Sequence, residues 1–238
     1  MAPSLPFFSR SALSRKEGGV ISAAHHTAMR RGVPFAKKVE FLESDGTVCV
    51  ETGCVPTNAS KFRIVYNISA ASGGEEQAVG LYDDTSGTVN RVYLGPIGTS
   101  LRCMLIASEY NISASATNVL VDQVCDIPGS QHRAIVNGTT RTATIGNFGS
   151  FVTEKPLGIF ARNNYSATAG HVASMFAKGK IYVFEAWTSG ELVARFVPVV
   201  DLKGIACFYD EVDRSLHYPF VGNPLTAGPV VQGGGGNG

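Results

Sequence analysis

The chain is poor in charge: 16% of its 238 residues are Asp, Glu, Lys or Arg, against about a quarter in an ordinary soluble domain. Any electrostatic function must therefore sit in a few places. No apolar run approaches the roughly 18 residues that cross a bilayer as a helix. The five cysteines (Cys49, Cys54, Cys103, Cys125, Cys207) are odd in number and form no C-x-x-C knuckles, which argues against a disulfide framework or a zinc site. Reduced, mostly buried thiols are expected. No basic segment followed by a long apolar core opens the sequence, so a secretory signal is not expected and synthesis in the cytosol is. No Gly-x-Ser-Gly or Gly-x-Cys-Gly tetrapeptide occurs either, which removes the usual frame for an attacking Ser or Cys beside oxyanion-binding amides.

What the sequence does have is glycine, 27 in all, punctuating short β-branched and aromatic runs every 8–12 residues or so. That texture predicts an all-β antiparallel sandwich or barrel in one domain. The strongest stretch is Gly179–Val200, two apolar runs around Thr188-Ser189-Gly190, read as a buried hairpin. The sole Trp, Trp187, stands at its tip, and Tyr182 and Phe184 are expected on one face by the period-two rule. Asn137-Gly138 predicts a second hairpin, and Ser44-Asp45-Gly46 a third joining 38–43 to 47–51. Residues 114–125 fit a short helix or a strand equally. Between Tyr165 and Lys178, Ser166 can cap and Gly179 can terminate, so one short helix is expected there.

Charge divides the chain. Residues 1–38 hold Arg10, Arg15, Lys16, Arg30, Arg31, Lys37 and Lys38 against the single acid Glu17, a balance of +6, which leaves −5 for the rest. The expected organisation is a basic flexible arm (1–38), a β-sandwich (39–218) and a Pro- and Gly-rich tail (219–238) that does not pack. Those seven bases are the candidate nucleic-acid contacts.

Other candidate sites are weaker. His25-His26 lacks further ligands at motif spacing. Asp83-Asp84, Asp122 with Asp126, and Asp210-Glu211-x-Asp213 could donate oxygens to calcium but are more simply turn acids. No cofactor or metal is expected. Five N-x-S/T sequons (Asn58, Asn67, Asn111, Asn137, Asn164) would suit a secreted lectin or receptor domain, but without a signal peptide they are expected as the by-product of a Ser/Thr/Asn-rich β chain; an extracellular β-sandwich binding module for glycans is the remaining alternative.

Ser166-Ala167-Thr168-Ala169-Gly170-His171-Val172-Ala173 resembles the histidine motif of chymotrypsin-like proteases, many viral ones among them. That resemblance implies an orienting acid, for which Asp201 or Asp210 would serve. The nearest thing to a nucleophile motif is Thr226-Ala227-Gly228-Pro229, with alanine at the key position and too close to Asp201 for a second barrel. No catalysis is expected. The layout as a whole, basic arm, many strands and glycine tail, resembles the single jelly-roll coat proteins of small positive-strand RNA viruses, such as the sobemovirus and ourmiavirus groups of plants. Residues 62–66, 79–84, 181–187 and 192–197 look like the C, D, H and I strands of that fold. The resemblance implies self-assembly into a shell, packaging of single-stranded RNA by the arm, and a place in the virion after assembly in the host cytoplasm.

Overall fold

The computed structural model describes residues 32–69, 76–168 and 170–231, and every regular element among them is a β-strand. In chain order these are β1 (Phe35–Lys38), β2 (Leu42–Asp45), β3 (Cys49–Glu51), β4 (Ser60–Ile68) and β5 (Val79–Asp83). Next come β6 (Asn90–Ile97), β7 (Ser100–Leu105), β8 (Ser108–Ser113), β9 (Val121–Asp126), β10 (Gln131–Val136) and β11 (Thr139–Thr144). Then follow β12 (Gly158–Ile159), β13 (Arg162–Ser166), β14 (Gly170–Ser174), β15 (Lys178–Thr188) and β16 (Glu191–Asp201). The last are β17 (Ala206–Asp210), β18 (Leu216–His217), β19 (Pro219–Val221) and β20 (Thr226–Ala227).

They form two sheets. The larger runs β11-β10-β9-β4-β15-β16-β17-β18, with β1, β2 and β20 added at its margins; the smaller runs β19-β3-β12-β5-β6-β7-β8, with the β13–β14 hairpin joined to β5. Among the described residues the strand pairings are antiparallel except β13 with β5; two isolated bridges, Ile68 with Thr117 and Gln77 with Phe176, are also parallel. The chain is an all-β antiparallel sandwich, of the kind in which strands from two packed sheets turn alternate residues inward.

The strand β4 shows the rule in its simplest form, with Phe62, Ile64, Tyr66 and Ile68 buried and Lys61, Arg63, Val65 and Asn67 facing out. Across the larger sheet the inner face carries a file of phenylalanines. Phe62, Phe184, Phe196, Phe208 and Phe160 follow one another with ring centroids 5.8 to 6.5 Å apart. All five are fully buried; the first four line the larger sheet, and Phe160, which follows β12, meets Phe208 from the opposite layer. Beside it runs a neutral polar chain: Tyr66 Oη donates to Gln123 Oε1 (2.8 Å), and Gln123 Nε2 donates to the Arg102 carbonyl (2.8 Å) and to His132 Nε2 (3.0 Å). His132 Nδ1 in turn donates to the Tyr110 carbonyl at 2.6 Å. The chain ties β4, β9 and β10 to β7 and β8 in the opposite sheet, and burial drives the His132 pKa down to about 4.

Two expected hairpins form, with type I′ signatures. Asn137 and Gly138 both take positive φ (49° and 75°), as do Ser189 and Gly190 (52° and 85°). Residues 114–125 resolve into a bridge at Thr117 and the strand β9.

Four expectations are corrected. Asp45-Gly46 does not close a hairpin: β2 lies in the larger sheet and β3 in the smaller, so this turn carries the chain between layers. Tyr182 does not share a face with Phe184, because the pairing register of β15 with β4 slips between Ile181 and Val183; Ile181 and Phe184 point inward, and Tyr182 is left half-buried against Phe41. The helix expected after Tyr165 is the β13–β14 hairpin, whose Arg162–Ser166 strand is captured by the edge of β5. Tertiary pairing overrides the helical propensity of the alanines there.

The fourth concerns the boundaries. Ordered structure begins before residue 39: Phe35 packs on Tyr209 at 4.9 Å and β1 pairs with β16. It also continues past 218, since β19 pairs with β3, β20 pairs with β2, and Leu225 is buried. An apolar residue among glycines and prolines suffices to seat such a segment when a sheet edge is open to receive it.

Candidate functional site

Strand β15 runs through the middle of the larger sheet, and its outward residues line up with those of β4 into one exposed face. At its start, Lys180 stands between Glu43 of β2 and Asn67 of β4 in register. Together with Ser69, Asn118 and Gly179 they line a cavity of about 270 Å³. Gly179 is obligatory, since a Cβ there would meet the Asn67 carbonyl oxygen at 2.4 Å. Phe41 and Tyr182 lie edge-on beside this cavity (5.6 Å), and the Lys180 ammonium sits 4.3 Å from the Phe41 ring centroid.

Farther along the strand comes a lattice of ion pairs. Arg63 forks onto Asp122 (2.9 and 3.0 Å) and reaches Glu185 at 2.8 Å, while Arg195 lies 3.3 Å from Glu185 and 3.6 Å from Glu211. The hydrogen bonds to Asp122 hold the Arg63 proton even more firmly than usual. Every charge in this lattice has a partner within it.

At the far end Trp187 is half-buried, with the Lys61 ammonium 5.5 Å from its ring centroid and Lys61 paired to Asp126 at 3.3 Å. These three, with Ala59, Pro128 and Gly190, enclose a second cavity of about 270 Å³. An aromatic wall flanked by a carboxylate and an ammonium can hold a molecule that has an apolar side and several hydroxyls.

The sequence-derived sites fare differently. Arg10, Arg15, Lys16, Arg30, Arg31 and the His25-His26 pair lie outside the described residues. Lys37 and Lys38 belong to β1, and Lys38 is ion-paired with Glu211. His171 is brought to neither proposed acid: its Nε2 bonds Asn163 Oδ1 (2.6 Å), and its ring is stacked between Tyr165 (4.2 Å) and Phe220 (5.0 Å). Glu51 orients this cluster by accepting from Tyr165 Oη (2.8 Å) and Asn163 Nδ2 (3.2 Å). Asp201 instead accepts from the backbone N–H groups of Lys203 and Ile205 and from Tyr218 Oη, all at 2.8 Å. Burial would raise its pKa, but the Ile205 N–H, Tyr218 and Lys203 outweigh that and hold it below the usual carboxylate range. Asp210 accepts from the N–H groups of Arg195 and Val212. Ala227 lies in β20.

Of the other acids, Asp83 anchors Thr85 and Thr153, Asp84 accepts from the Ala167 N–H, and Asp122 and Asp126 serve the lattice and the Lys61 pair. Asp210 and Asp213 do approach a common point, with His217 in place of Glu211 and all ligand atoms within 4.8 Å of one another. Asp213 is already an acceptor from Ser215, and Asp210 from two amides, so these carboxylates close turns. Asn58 of the first sequon is spent on the loop at 149–151, donating to the Gly149 carbonyl and accepting from the Phe151 N–H. Sequence reasoning missed Glu43, Asn118 and Lys61 as cavity residues; each is an unremarkable polar residue until cross-strand register sets it beside its neighbours.

No family model matches the chain, and no curated protein matches it in sequence. Its fold is similar to that of a putative carbohydrate binding protein from Bacteroides ovatus, at 14% identity and a TM-score of 0.50, over 81% of this chain and 60% of that one. The chain thus spans about three fifths of that protein's length. A Scytalido-glutamic peptidase aligns over 76% of this chain at 12% identity with a TM-score of 0.25, too weak a likeness to bear on fold or function.

Proposed function

We propose that this chain is a non-catalytic β-sandwich binding module whose ligand is a carbohydrate lying on the outer face of the larger sheet. The observation that carries this reading is the Trp187 cavity, where an indole, the Asp126 carboxylate and the Lys61 ammonium surround a space of about 270 Å³. The apolar face of a pyranose would stack on the indole while its hydroxyls bond the two charged groups. The likeness in fold to a protein described as carbohydrate-binding adds support for the scaffold. The His171 cluster is read as structural, its imidazole committed to Asn163 and two rings. A glycan array probed with the full chain and with Trp187→Ala tests the proposal. Binding to a defined glycan class that the variant loses is the expected result, and equal signals from both proteins would overturn it.

One observation favours a second reading, the +6 balance of residues 1–38. On that reading the chain is an RNA-packaging coat protein that assembles in the host cytoplasm into a virion shell. Because β1 belongs to the fold, the informative truncation removes residues 1–31 only. Particles in electron micrographs of the intact chain, with RNA affinity and its salt dependence lost on truncation, would favour this reading over the first.

A further inference from the structure

The two cavities stand at opposite ends of one strand and open on the same face, and they differ in chemistry. The Trp187 cavity is walled by an aromatic ring, whereas the Gly179 cavity is lined by polar residues, Glu43, Asn67, Ser69, Asn118 and Lys180, of which Ser69 already donates to the Lys178 carbonyl at 2.9 Å. Its lining holds one acid, Glu43, and one base, Lys180, and so carries no net charge, and a strongly anionic or cationic ligand would be opposed by one of the two. Amides and a carboxylate beside an ammonium offer acceptors and donors in mixture, the complement of a neutral polyhydroxylated ring. Asn118 is held with φ at 57°, a left-handed backbone that few residues other than Asn or Gly adopt without strain, and its N–H bonds the Ile68 carbonyl at 2.9 Å, which fixes where its amide projects.

From this we infer a second saccharide subsite at Glu43, Asn67, Asn118 and Lys180, so that one neutral oligosaccharide lies along β15 and is gripped at both ends. The inference rests on the carbohydrate reading above and extends it to ligand charge and length. Gly179 pairs with Ile68 and Trp187 with Lys61, seven residues apart on β4, which places the two grips about 23 Å apart at the rise of an extended chain. Between them the face is passive: the Arg63–Glu185–Arg195 lattice is internally paired, and the Phe41–Tyr182 pair offers a half-buried aromatic edge next to the second grip. Once one end is seated the other binds from the same molecule, so affinity should climb with chain length until the ligand spans both cavities.

The test is calorimetric titration of the full chain with di- and octasaccharides of neutral glucose and N-acetylglucosamine polymers, repeated with Trp187→Ala and with the double variant Glu43→Gln/Asn67→Ala. Both altered positions of the double variant are on strands and only half-buried, and an unchanged urea midpoint would verify that it is folded. The expected result is an octasaccharide bound at least tenfold more tightly than the disaccharide by the wild type, with that gain lost in the double variant while disaccharide binding persists. A length-independent affinity, abolished by Trp187→Ala and untouched by the double variant, would overturn the second subsite and leave the carbohydrate reading standing. Binding of no neutral saccharide by the wild type would overturn both.

Discussion

Phe184 and Glu185 are neighbours on β15 and could hardly be placed more differently. Phe184 points inward, fully buried between Phe62 and Phe196, while Glu185 points outward into the lattice of Arg63 and Arg195. The same contrast holds between the polar groups of the two faces. Inside, Tyr66, Gln123 and His132 are neutral and have nowhere else to find hydrogen bonds, so losing one partner strands another in a medium that solvates it poorly. Outside, Arg63, Arg195, Glu185 and Glu211 each have two partners, and both guanidinium groups reach water although Glu185 itself is buried, so the loss of one pair is shared among the others. Stability therefore belongs chiefly to the inner face, and the outer face is the freer to vary.

The contrast is broken most directly at Phe184. Phe184→Ala should cost about 3–5 kcal/mol, since it opens a cavity in the middle of the phenylalanine file. That is a large part of a typical total of about 5–15 kcal/mol, so poorly soluble or partly folded protein is expected. A urea midpoint that barely moves would show that the file does not hold the layers together.

The next largest effect is a pH dependence. His132 has a folded pKa of about 4 against an ordinary value of 6.5, so the unfolded chain takes up its proton first as the solution is acidified. Its neutral form contributes no penalty above pH 6.5, and stability is lost as pH falls from 6.5 toward 4, by about 3 kcal/mol in all. His132→Gln should remove that share of the acid sensitivity. Parallel losses in wild type and variant between pH 7 and pH 4 would assign the sensitivity to carboxylates instead.

On the outer face, Glu185→Gln should cost about 1–3 kcal/mol: the carboxylate is buried, but Arg63 keeps Asp122 and Arg195 keeps Glu211 when its charge is removed. A loss approaching that of Phe184→Ala would erase the distinction between the faces. Smallest of all is Lys38→Ala: the pair with Glu211 is almost half exposed on the lysine side, and a change within about 0.5 kcal/mol is expected in thermal unfolding.

Much of this contrast was legible without coordinates, and the limit falls at identifiable residues. The alternation in 61–68, the Asn137-Gly138 turn and the bulk of Ile181–Phe196 are local signals, and each became the strand or turn it announced. Tyr182 defeats the period-two rule because a bulge has no mark in composition; it exists only where two strands of unequal curvature must stay paired. The stretch between Tyr165 and Lys178 carried a helical preference, and the open edge of β5 outweighed it by pairing with β13. The motif around His171 was visible as letters, but a catalytic constellation is a matter of distance, and the structure gives that imidazole Asn163 and two aromatic rings in place of Asp201 or Asp210.

By itself, then, the sequence determined that this chain is all-β, where two of its hairpins turn, and that its first 38 positions hold seven of its twenty bases against one acid, because turn chemistry, side-chain alternation and charge are properties of residues and their near neighbours. Tertiary structure alone decided that Val33–Lys38 and residues 219–227 join the sandwich, that Glu43, Asn67, Asn118 and Lys180 converge on one cavity, and that Trp187 meets Lys61 and Asp126 at another. Those groups come from strands far apart in the chain, and the pairing register that sets them side by side is chosen by burial of the whole inner face at once.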